Sequence, residues 1–169
     1  MASIIKVDQI QTAAGGTPTA ADLGLNTTGA VLQVVHNDYS TETSSSSTSF
    51  ADTGLNASIT PSNASSKVLV NLIHTGNYVG SSTSERLDMR LYRKIGAGSY
   101  VELVNFEEEL GTGGQFGPAG ATGVIWLDSP NTTSEVTYKT MFAQQLGNST
   151  IYVNTSGSHS TISLMEIAG

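Results

Sequence analysis

Apolar residues recur along this chain with a period of two, in short runs separated by Gly, Ser, Asn and Pro. The sharpest run is 84–95, SERLDMRLYRKI. Leu87, Met89 and Leu91 fall on one side, and Arg86, Asp88, Arg90 and Tyr92 on the other. A helix would join Leu87 to Leu91 but send Met89 to the opposite face, so the period is that of a strand. A turn at 96–99, GAGS, followed by SYVELVNF completes a hairpin. KVLVNLIH (67–74), rich in β-branched residues, predicts a central strand. AVLQVVH (30–36), apolar on both faces, predicts a strand buried on both sides. Leu55, Ala57 and Ile59 alternate ahead of a turn at Pro61 and Asn63, and GVIWLDS, EVTYKTMFAQQ, STIYVN and STISLMEIA supply four more strands. Nine strands with no helix longer than two turns predict an all-β chain, an antiparallel β-sandwich or jelly-roll-like domain.

Three stretches depart from the alternation. STETSSSSTSF (40–50) reads as a low-complexity loop ending on a hydrophobic anchor, Phe50. ELGTGGQFGPAGATG (109–123) reads as a Gly-rich loop of a length that is usually functional or disordered. The first 29 residues hold a short apolar segment, Ile4, Ile5, Val7 and Ile10, then the loop AAGGTPT. A capping box over Thr19–Asp22 follows, with Gly24 as its stop. So few apolar side chains make no core. Residues 1–29 are therefore expected to form an extended N-terminal arm ordered on a neighbour, and 30–169 the head domain; a disordered leader is the alternative.

Composition narrows the chemistry. The 169 residues carry a formal net charge of −7, which argues against affinity built on neutralising nucleic-acid or lipid phosphates. Only 12% of residues are charged and 43 of 169 are Ser or Thr, a balance that suits strands and turns better than exposed helices. With no Cys, disulfides, thiolate metal sites and thiol nucleophiles are excluded. No apolar run is long enough for a membrane-spanning helix, and MASIIKVDQIQT lacks the apolar stretch of a secretory signal.

No catalytic, cofactor or metal residues are expected. His36, His74 and His159 lie at strand ends or in a turn, without HxH, HExxH or GxSxG spacing, and read as solvated or edge residues. Glu107, Glu108 and Glu109 read as a solvated loop, with weak calcium binding as the sharper alternative. The 111–117 glycines lack the Lys-Ser/Thr of a phosphate loop. Tyr78, Phe116 and Trp126 are the aromatic candidates for a ligand or surface contact, against the plainer reading of aromatics as core or interface residues.

The leader SIIKVDQIQTAAGGTPTAADLGLN running into GAVLQVVH, the segment STSFADTGLNASITPSNASSKVLV and the closing STISLMEIAG resemble parts of bacteriophage tail-fibre and other virion proteins. Residues 76–150 share only general β character with them. The resemblance implies a virion structural protein with no enzymatic activity, commonly homotrimeric: an outward β-domain on an attachment arm anchored through Ile4, Ile5, Val7 and Ile10. Its partners would be capsid or tail proteins and, at a fibre tip, a host surface glycan. Family members carry long shafts that this chain does not. That departure makes a capsid decoration protein, of cement or head-fibre type, the rival reading; a stand-alone carbohydrate-binding module is the third.

Overall fold

The computed structural model describes residues 11, 14–18, 22–23, 28–80, 86–110, 117–147 and 149–169. Ile4, Ile5, Val7, Ile10, Phe116 and most of the Thr19–Asp22 capping box lie outside them.

Among the described residues the chain forms ten strands and one short 3-10 turn: β1 (Val31–Tyr39), β2 (Thr43–Ser45), β3 (Ala51–Ile59), β4 (Lys67–Val79), β5 (Leu87–Ile95), β6 (Val101–Leu110), β7 (Gly117–Asp128), β8 (Val136–Gln144), β9 (Ile151–Val153), η1 (Thr155–Gly157) and β10 (Ser160–Ile167). Every pairing is antiparallel. One sheet runs β1-β10-β4-β7, with β9 and then β2 continuing beyond β10 along the same edge of β4; the other runs β3-β8-β5-β6. Setting the two three-residue strands aside, these eight strands have the order of a jelly roll, two Greek keys closed into a sandwich.

The period-two pattern places the core between the sheets. Val68, Val70 and Leu72 of β4 meet Leu55, Ala57 and Ile59 of β3, Leu91 of β5, Val136 and Tyr138 of β8, and Ile162 and Leu164 of β10 in the larger cluster. A smaller cluster gathers Val79, Leu87, Met89, Phe142, Ile151 and Val153. Between the two, the inward positions turn polar: Thr53, His74, Asn77, Thr140 and Ser160 are all buried. Thr140 Oγ1 lies 2.6 Å from Thr53 Oγ1 and 2.7 Å from His74 Nε2. One end of the sandwich is closed by the buried carboxylate of Glu166, which accepts from Ser62 N and Oγ and from Gln33 Nε2 at 2.6–2.7 Å.

Four expectations need correction. β1 is an edge strand: Val34 remains 58% exposed, because β1 pairs with β10 alone and its outer face has no cover. His74 is neither solvated nor terminal; β4 continues past it, and the residue points into the polar belt. The Glu107–Glu109 stretch is strand, since β6 runs on to Leu110, where Glu107 accepts from Thr122 at 3.2 Å and Glu109 pairs with Arg86 at 3.5 Å. The Gly-rich segment is shorter than its composition suggests, because the long β4 offers an edge on which β7 pairs from Gly117 onward. Within the Ser/Thr stretch, Thr43–Ser45 pair with β9, and the Phe50 ring lies under the Arg90 guanidinium at 4.1 Å.

Candidate functional site

Two surface features stand out. The first is the outer face of the larger sheet. Register aligns Val34, Met165, Leu69 and Leu127 in one row across β1, β10, β4 and β7. His36, Ser163, Asn71 and Ile125 form the next row, and Asp38, Thr161, Ile73 and Gly123 the one after. Ile125, Leu127 and Ile73 are 69%, 51% and 44% exposed. Among these positions the acidic residue is Asp38, held at the corner by His159 at 3.0 Å. Four strands at about 4.8 Å and five residues at about 3.3 Å give the three rows a footprint of roughly 300 Å². That is the size of the largest exposed patch on an ordinary monomer, which is often functional.

The second feature is a cleft of about 880 Å³ at the far end of the same sheet, where β9 takes over from β10 beside β4. It is lined by the bulged end of β4 from Gly76 to Tyr78 and by Gly80 just beyond the strand. Gly76 adopts a φ of +61°, and a side chain there would meet Ser158 and the backbone of Thr155, so glycine lets η1 lie down against the strand. Tyr78 and Tyr152, opposite each other on β4 and β9, form an edge-to-face pair with centroids 5.9 Å apart. Hydroxyls of Ser149, Thr150 and Ser156 and the carboxylate of Glu42 complete the polar part of the lining. Among the described residues no Lys, Arg or His lines it.

Of the aromatic candidates, Tyr78 and Trp126 do not come together, and Phe116 lies outside the described residues. Tyr78 is in the cleft; Trp126 sits on the inner side of β7, half-buried against the larger core cluster. Tyr152, which the sequence reading did not single out, is the residue that Tyr78 meets. Its signal would have been the pairing of β9 with β4, and no short-range pattern carries that. The imidazoles also stay apart: His36 contacts Ser163 Oγ at 2.9 Å, His159 pairs with Asp38, and His74 is interior. Burial holds His74 at about 4, so it is neutral at physiological pH. Among the described residues no three His, Asp or Glu side chains cluster as a metal site.

No protein-family model and no curated protein matches the chain. Among solved structures it is similar to the infectious bursal disease virus VP2 subviral particle, at 12% identity and a TM-score of 0.46, over 82% of this chain and 34% of that one. A structure of the Gx strain of the same virus is similar at 12% identity and a TM-score of 0.47, over 81% of this chain and 32% of that one. The chain thus spans about a third of the length of either structure.

Proposed function

We propose that this protein is a structural component of a virion surface, a short bacteriophage tail-fibre-like appendage. In this reading residues 1–29 dock on the particle and the head, 30–169, faces outward, toward the host surface when the appendage sits on the tail. The observation that carries the proposal is the uncovered outer face of the larger sheet. Copies of a chain with net charge −7 repel one another over most of their surface. They meet at least electrostatic cost on a face where Val34, Met165, Leu69 and Leu127 run in a row and Asp38 is confined to a corner. The occupant of that face is a second copy of the chain. Its footprint is roughly two-fifths of what one partner buries in a standard interface, so it forms the apolar centre and needs a polar rim. The resemblance to tail-fibre modules favours three copies around one axis.

The arm then acts by strand addition to a capsid or tail protein. Several arms on one assembly bind by avidity, so each contact can be weak. A chain lacking residues 1–28 is expected to keep its melting transition and to be missing from purified particles. Particles decorated by the truncated protein would overturn the role of the arm.

A further inference from the structure

We infer that the cleft between β9 and the bulged end of β4 is a binding site for a short neutral oligosaccharide. The inference stands apart from the assembly reading, since the cleft and the apolar face lie at different ends of the sheet and use different residues.

Four observations converge. The volume, about 880 Å³, falls within the range of small-ligand sites, in a cleft that is open to solvent. The Tyr78–Tyr152 pair, edge-to-face at 74° and only partly buried, lines the cleft with aromatic surface on which an apolar partner can pack. The apolar C–H side of a pyranose is such a partner, and its hydroxyls need donors and acceptors close by. The cleft supplies them: Ser149, Thr150 and Ser156 offer hydroxyls, and Glu42 offers a carboxylate that can accept from two sugar hydroxyls. The lining residue Ser149 holds a buried polar atom without a partner, its Oγ. Buried groups of this kind are satisfied in nearly every protein, by protein, water or ligand. Finally, the lining residue Ser156 is held left-handed at φ 58° without being glycine.

Charge selects the class of sugar. With Glu42 in the lining and no cation opposite among the described residues, an acidic saccharide would face a carboxylate in addition to the net charge of −7. A neutral hexose or N-acetylhexosamine chain meets no such barrier.

The test uses the full chain on an array of neutral oligosaccharides of glucose, galactose, mannose and N-acetylglucosamine beside sialylated and uronate-bearing glycans. The best neutral binder is then titrated in solution with amide shifts followed by NMR. The site predicts binding to neutral glycans, with the largest shifts at Gly80, Gly120, Ala121 and Tyr152. Tyr152→Ala should weaken binding tenfold or more and Glu42→Gln severalfold. Ile125→Glu, on the apolar face, should leave the per-site affinity unchanged. Glu42 is exposed and carries no core contact, so its variant stays informative should Tyr152→Ala fail to fold. Absence of neutral-glycan binding at millimolar ligand, preference for acidic glycans or for a peptide, or shifts confined to another surface would each overturn the assignment.

Discussion

Asp128 is the residue whose loss should report most clearly on how the two sheets are joined. It ends β7 in the larger sheet, and its partners, Arg93 on β5 and Tyr138 on β8, belong to the smaller one. Arg93 Nη1 donates to both carboxylate oxygens at 2.9 Å, and the Tyr138 hydroxyl donates to Oδ2 at 2.7 Å. The Asp128 side chain is 8% exposed and that of Arg93 21%, so solvent screens the pair only in part. Burial and the neighbouring carboxylate push the Tyr138 phenol well above its usual range, so it stays a donor at every working pH. Removing one member of a buried pair costs about 3–5 kcal/mol because the other is left uncompensated. With Arg93 able to reach some water, Asp128→Ala should cost about 3 kcal/mol, the lower end of that range. Tyr138→Phe removes one hydrogen bond to a charged group and should cost about 2 kcal/mol. The two losses should overlap by about 1–2 kcal/mol in a double-mutant cycle. Urea unfolding at fixed protein concentration measures all three. For a domain of this size about 3 kcal/mol lowers the midpoint by roughly 1–2 M. A cost below about 0.5 kcal/mol for Asp128→Ala, the level of an ordinary surface change, would refute the clamp. So would strict additivity with Tyr138→Phe.

Further expectations concern acid, a glycine and the core. His74, held at about 4 by burial against a usual 6.5, is neutral in the fold and protonated more readily when unfolded. Its contribution, about 3 kcal/mol, is therefore complete above pH 6.5 and is lost as pH falls through 6.5 toward 4. Burial pushes Glu166 up, but hydrogen bonds from Ser62 and Gln33 outweigh it and hold the carboxyl below its usual value, so its share is lost at still lower pH. Asp88 works in the opposite sense. Burial, against Arg90 and with Glu107–Glu109 nearby, raises it to about 6, so the strain of its charge is present above pH 6 and relieved as pH falls. Asp88→Asn should stabilise at pH 7 and steepen the acid loss between pH 6.5 and 4, read by thermal melts across pH; an unchanged profile would refute the assignment. Gly54 has φ +91°, and a side chain there would run into the Tyr39 ring. Gly54→Ala should cost about 2 kcal/mol, or roughly 4–8 °C in Tm by calorimetry. Leu164→Ala, at a fully buried site in the larger cluster, should cost about 2–5 kcal/mol in the same urea assay.

The strands were legible where alternation was strict. SERLDMRLYRKI gives β5 with Leu87, Met89 and Leu91 inside, because one buried face and one wetter face leave a period of two in the residue types. AVLQVVH misleads for the converse reason: Val34 is apolar although it faces out, and composition alone cannot tell an interior from an uncovered face. The polar belt is equally silent in sequence, since His74 and Thr140 acquire meaning only when β4 and β8 are stacked across the sandwich. The cleft depends on a bulge at Gly76 and on β9 reaching β4 from more than seventy residues away, both set by long-range pairing.

The central claim, that copies of this chain meet through the outer face of the larger sheet, is tested most directly by sedimentation equilibrium of the full chain beside Ile125→Glu/Leu127→Glu. Both side chains already face water in the isolated protomer, so the double variant should keep its melting transition when dissociated. The account predicts a wild-type mass three times the 17.6 kDa protomer and a monomeric variant. A wild-type monomer at tens of micromolar, or a trimer that the two glutamates leave intact, would contradict it.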